Sequence, residues 1–123
     1  MKVADIMKPN LCTVDPEATV GEAATLMGER RVGSVLVLEG ERLVGILTER
    51  DIVRALSSTH DAPQRPVIEW MSKDPTTTTP GTSVREALRT MVDGGFRHLP
   101  VCEGDKVEGM VSIRDLAGTL ADE

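Results

Sequence analysis

Gly45-Ile46-Leu47-Thr48-Glu49-Arg50-Asp51 and Gly109-Met110-Val111-Ser112-Ile113-Arg114-Asp115 follow one pattern, glycine, two apolar residues, a hydroxyl, any residue, Arg-Asp, set 64 positions apart. Working outward at that offset, without a gap, the rest of the chain falls into register. Val37, Glu39 and Gly40 meet Val101, Glu103 and Gly104; Val20, Glu22, Ala23 and Met27 meet Val84, Glu86, Ala87 and Met91; Val3, Met7, Thr13 and Pro16 meet Val67, Met71, Thr77 and Pro80. The chain is a duplication, and self-similarity of this kind sets the architecture before any single element does.

Each copy predicts the same elements. Leu11 to Val14, with Thr76 to Thr79 in the second copy, is a short candidate strand. Thr19 with Glu22, and Ser83 with Glu86, are capping boxes that open helices. Val20, Ala23, Ala24 and Met27, with Val84, Ala87, Leu88 and Met91, follow the i, i+3, i+4, i+7 stripe of an amphipathic helix. Ser34 to Leu38 and Leu43 to Leu47 flank Glu39-Gly40-Glu41, and His98 to Cys102 and Val107 to Val111 flank Glu103-Gly104-Asp105, which is hairpin punctuation. A second helix closes each copy, from about Glu49 and from about Ile113. The order is β-α-β-β-α twice, an α/β class. The sequence divides into 1–58, a polar linker 59–66 holding Pro63 and Pro66, and 67–123. A half of about 55 residues buries too little apolar surface to be stable alone, so the two are expected to pack through their sheets about a pseudo-twofold axis.

Composition narrows the function. Apolar residues are 40% and charged residues 28% of 123, ordinary for a globular chain. A net charge of -6, with Trp70 and Phe96 as the only aromatics, gives neither a phosphate-tracking surface nor stacking platforms, so nucleic acid is not the expected partner. No segment reaches membrane-spanning length and the first residues lack a signal-peptide run, so a cytoplasmic protein is expected. Cys12 and Cys102 stand at non-equivalent places, without CxxC spacing, and read as small buried thiols; no metal site is expected. There is no nucleophile–base pattern and no P-loop, so no enzyme is expected.

The repeated motif joins an apolar strand to a helix start. Its hydroxyl and the first helical N–H groups form a natural anion site. Arg50 or Arg114 adds charge-assisted donors for phosphate, and Asp51 or Asp115, an acceptor, suits the two hydroxyls of a ribose. The same Thr48-x-x-Asp51 and Ser112-x-x-Asp115 spacing also serves as a helix cap. An Arg in the first turn is locally misplaced in a mere cap, because the helix dipole favours acids there. Both readings stay open on these residues alone.

Together with the openings Asp5-Ile6-Met7 and Glu69-Trp70-Met71 and the segment Gly95-Phe96-Arg97-His98-Leu99-Pro100-Val101, these motifs resemble CBS domains, the family named after cystathionine β-synthase, in its paired form, the Bateman module. The resemblance covers nearly the whole chain. It implies a tandem pair with two quasi-symmetric inter-domain clefts for adenosine-containing ligands: AMP, ADP, ATP or S-adenosylmethionine. Carried over by position, ribose falls to Asp51 and Asp115 and phosphate to Thr48 and Ser112. The base falls to Leu11, Cys12 and Thr13 and to Pro75, Thr76 and Thr77. Phosphate contacts from the middle strand fall to Arg97 or His98, where the first copy has Gly33 and Ser34. The second cleft is therefore the better equipped for a polyphosphate. The resemblance further implies a homodimer and a regulated partner protein in another chain, with ligand-independent dimerisation as the alternative. Trp70 departs from the family pattern and either covers a dimer surface or fills the junction after the linker.

Overall fold

The computed structural model describes residues 1–121. The chain forms two compact units, Leu11–Pro75 and Met1–Asn10 with Thr76–Glu123. These are not the sequence repeats. Each repeat's opening segment is built into the unit that carries the other repeat's body.

In the unit Leu11–Pro75 the order is β1 (Thr13–Val14), α1 (Val20–Arg30), β2 (Ser34–Glu39), β3 (Arg42–Thr48), α2 (Glu49–Ser58) and β4 (Ser72–Lys73). The sheet order is β1-β2-β3-β4, parallel between β1 and β2 and antiparallel elsewhere. The second unit repeats this with α3 (Val84–Gly94), β5 (His98–Glu103), β6 (Lys106–Ser112) and α4 (Ile113–Ala121). Its edge strands shrink to single bridges, Thr78 with Val101 and Lys8 with Met110. The first strand expected at Leu11 to Val14 is thus a two-residue strand, and its counterpart at Thr76 to Thr79 pairs through Thr78 alone.

Both hairpins turn on a glycine with positive φ, Gly40 at 65° and Gly104 at 63°, a conformation that would strain a residue with a Cβ. Both have the same register slip, between Val37 and Leu38 and between Val101 and Cys102. Thr19 and Ser83 cap α1 and α3 by accepting from Glu22 N–H (3.0 Å) and Glu86 N–H (3.1 Å). The reciprocal half of the first box differs from expectation: the Glu22 carboxylate accepts from the Thr19 hydroxyl, at 3.2 Å.

The exchange of opening segments is made by matching bonds in the two units. Val3 N–H donates to Thr82 O and Val67 N–H to Ala18 O, both at 2.8 Å. Val84 N–H donates to Met1 O (3.1 Å) and Val20 N–H to Arg65 O (2.8 Å). Val3 is fully buried with Val84, Ala87, Met91, Leu99, Val101, Val111 and Leu116, and Val67 with Cys12, Ala23, Met27, Val35, Val37 and Leu47. The motif glycines receive the opening methionines. A Cβ on Gly45 would lie 2.3 Å from Met71 Sδ, and one on Gly109 would lie 2.9 Å from Met7 Sδ and 3.1 Å from Lys8 O. The glycine at the head of each motif therefore makes room for a side chain of the exchanged segment.

The segment after α2 also joins this unit. Ala62, within a short 3-10 turn (Ala62–Gln64), is fully buried with Val20 and Ala55. Trp70 packs, half-buried, against this cluster and against the one around Val67. It fills the junction after the linker. Its indole N–H is buried and meets no acceptor among the described residues. A buried unpaired donor costs about 1–3 kcal/mol, so Trp70→Phe is expected to unfold within about 1 kcal/mol of wild type, despite the smaller ring. Trp70→Ala, which empties the junction, should lose about 3 kcal/mol. Urea titrations followed by circular dichroism check both; equal losses would mean that the indole N–H is satisfied.

Candidate functional site

Each motif lies where three segments of one unit meet at the same end of its sheet. In the unit Leu11–Pro75, β3 ends at Thr48, which pairs with Ser34 at the start of β2, and Glu49 N–H donates to Gly33 O at 3.1 Å. The parallel strand β1 runs in from this end: Thr13 pairs with Leu36, and Cys12 O accepts from Leu36 N–H at 2.9 Å. Leu11, Cys12, Ser34, Thr48 and the first turn of α2 are thereby gathered, with Arg50 exposed on that turn. Arg30, which sequence reasoning missed, donates to Leu11 O at 3.4 Å. It closes the end of α1, and only its positive charge near a strand start could have drawn attention to it.

Asp51 is used inside the fold. One carboxylate oxygen accepts from Thr48 N–H (2.9 Å) and from the Thr48 hydroxyl (3.1 Å); the other accepts from Arg54 (3.0 Å). In return Asp51 N–H donates to Thr48 Oγ1 at 3.3 Å. This is a reciprocal capping box with Asp in the Glu position, and its carboxylate is only 6% exposed.

The second unit has the same backbone and a different carboxylate. Ser112 pairs with His98, Ile113 N–H donates to Arg97 O at 2.8 Å, and Asp115 N–H donates to Ser112 Oγ at 3.2 Å. The partner found for the Asp115 carboxylate is Lys8, whose Nζ lies 3.8 Å from Oδ2; the Asp115 side chain is 29% exposed. Thr76 and Thr77 are exposed where the chain runs in to Thr78, whose N–H donates to Pro100 O at 2.9 Å. Arg97 and Arg114 are exposed, and His98 is half-buried. Pro75, the sequence counterpart of Leu11, is the last residue of the other unit. Lys8 is the second residue that sequence reasoning missed. Its counterpart is Ser72, and nothing in the repeat shows that the opening segment crosses to Asp115.

Burial pushes the thiols of Cys12 and Cys102 above the usual cysteine range, with Arg30 opposing the rise at Cys12. Both are buried and reduced, which makes them packing groups in this structure. Among the described residues no group of three His, Cys, Asp or Glu side chains is placed to hold a metal ion. None of the described helices is long and apolar enough to cross a membrane. The arrangement repeats a capped helix start with a hydroxyl, an Arg and a carboxylate, and of the two carboxylates the one at Asp115 is part-exposed.

The family model for the CBS domain matches residues 3–58 and again 67–122. The chain belongs to the CBS domain family. As a tandem CBS pair it is 45% identical over 123 residues to a 17.7 kDa protein of Acidianus ambivalens, covering 98% of this chain and 74% of that one. Its fold matches the CBS-domain protein ATU1752 of Agrobacterium tumefaciens with a TM-score of 0.92 at 29% identity, covering 98% and 99% of the two chains. Two further CBS folds were solved with adenosine compounds. The CBS pair of MJ0100, in complex with 5-methylthioadenosine and S-adenosyl-L-methionine, has a TM-score of 0.91 at 22% identity, covering 99% of this chain and 97% of that one. CBSX2 in complex with AMP has a TM-score of 0.85 at 24% identity, covering 98% and 96%.

Proposed function

We propose that this CBS pair is a non-catalytic regulatory module that binds an adenosine-containing ligand, AMP, ADP, ATP or S-adenosylmethionine, at its strand-to-helix junctions. The observation that carries the reading is the junction at Asp115. A part-exposed carboxylate sits at a serine-capped helix start, with Arg97, His98 and Arg114 on adjoining positions. A carboxylate accepts from ribose hydroxyls, and helical N–H groups with Arg favour a phosphate. That folds of this kind hold AMP, S-adenosylmethionine and methylthioadenosine in other proteins supports the ligand class.

The output then lies in another cytoplasmic protein: ligand binding shifts the balance of conformations, and the partner reads the shift. Self-association belongs to the same proposal. Val53 and Leu56, one turn apart on α2, are 64% and 54% exposed, apolar surface suited to a second copy of the chain.

Thermal unfolding with AMP, ADP, ATP, S-adenosylmethionine and NAD, each at millimolar concentration, tests the ligand. At a hundred times its dissociation constant a ligand adds about 2.7 kcal/mol, a rise of several degrees in Tm. The expected result is such a rise with an adenosine compound, lost in Asp115→Ala. No shift with any of the five would leave the module an adaptor, and release of phosphate from ATP would make it an enzyme.

A further inference from the structure

We infer that Lys8 makes the Asp115 junction selective for a phosphorylated adenosine ligand over an uncharged one. This rests on the ligand class proposed above. Four observations carry it. The Lys8 main chain is pinned, because its N–H donates to Met110 O at 2.9 Å and its O accepts from Met110 N–H at 3.1 Å, two residues before Ser112. Its side chain is not pinned: it is 72% exposed, and its ammonium stands 3.8 Å from Asp115 Oδ2, an ion pair too long to be a hydrogen bond. The carboxylate that it faces is the one assigned to ribose. Finally, the cation at the other unit's carboxylate is differently placed: Arg54, from α2 itself, is hydrogen-bonded to Asp51 at 3.0 Å. There the counterpart of Lys8 is Ser72, and Asp51 is satisfied by Thr48 and by Arg54 from its own helix. The sequence counterpart of Arg54 is Gly118, so α4 carries no Arg at that position, and the cation found at Asp115 is Lys8 from the opening segment.

The chemistry follows from that contrast. When ribose hydroxyls donate to Asp115, the carboxylate is shared and the ammonium, on a flexible four-carbon stem, turns to the next anion within reach. A 5′-phosphate supplies that anion. An uncharged 5′ group does not. Loss of a charge-assisted hydrogen bond to phosphate corresponds to roughly a ten- to hundredfold weaker affinity. At the Asp51 junction no comparable selectivity is expected.

The test is calorimetric titration of the intact chain with adenosine, AMP and ATP, for wild type, Lys8→Met, Lys8→Arg and Asp115→Ala. Lys8→Met keeps the stem and the backbone bonds, and its unfolding midpoint in the absence of ligand shows that it folds. The expected result is that Lys8→Met weakens AMP and ATP about ten- to hundredfold, leaves adenosine within about threefold, and is rescued by Lys8→Arg. Equal weakening of adenosine and AMP, or no weakening of AMP, overturns the inference while the ligand class stands. Wild type that binds AMP no tighter than adenosine overturns it too. If wild type binds none of the three, the inference falls; if it binds neither ADP nor S-adenosylmethionine either, the ligand class falls with it.

Discussion

Deletion of residues 2–10 is expected to destabilise the unit that carries Asp115 by about 5 kcal/mol, comparable with the whole stability of a small domain. Val3 is fully buried among Val84, Ala87, Met91 and Leu99, and removing such a side chain from a core forfeits about 1.5–3 kcal/mol. Ile6 and Met7, packed on the same cluster, add to this. The segment also takes with it the hydrogen bonds Val3 to Thr82, Ala4 to Pro80 and the pair between Lys8 and Met110. Those contribute less than about 1 kcal/mol each, because water takes over the exposed groups. The chain has one tryptophan, Trp70, and it lies in the other unit. Urea unfolding should therefore show the loss first in the circular dichroism of α3 and α4, ahead of the change in Trp70 fluorescence. If the deletion leaves both transitions where they were, residues 2–10 do not belong to that unit's core.

The two motif aspartates should separate stability from binding. Asp51→Ala is expected to destabilise the chain by about 2–3 kcal/mol. It strips a buried carboxylate from a cap worth about 1 kcal/mol, orphans the Thr48 N–H, and removes the partner of Arg54. Arg54 is 60% exposed, so its share is the smallest. Asp51→Asn, which still accepts, should restore about half. Asp115→Ala removes a part-exposed carboxylate and a long ion pair, so it should stay within about 1 kcal/mol. Urea midpoints decide this, and equal losses at the two positions would show that the aspartates do the same work.

The chain made its architecture readable and hid its wiring. Period, caps and the acidic-glycine turns are local signals, so the β-α-β-β-α order, the helix starts at Val20 and Val84 and the paired hairpins could be read from neighbouring residues. The exchange of opening segments could not, since Val3 and Val67 are equivalent apolar residues and each satisfies either groove by pattern alone. The same blindness covers the site. Thr48, Asp51, Ser112 and Asp115 stood out because the motif is contiguous, whereas Lys8 and Arg30 act across 107 and 19 residues of chain. The motif also left open whether its aspartates cap or bind. In the structure Asp51 caps, through bonds to Thr48 that the bonds described for Asp115 do not reproduce.

The exchanged arms bear on descent. A single repeat translated alone carries an arm headed by Val and Met and a body with a groove for another copy's arm. Two such chains would trade arms and close as a twofold pair, the ordinary logic of domain swapping. Joining them end to end turns that exchange into a contact within one chain. It also frees the two grooves, formerly identical by symmetry, to change separately. Lys8 beside Asp115 in one and Ser72 in the other is a difference of this kind, one that a symmetric pair of identical chains could not hold.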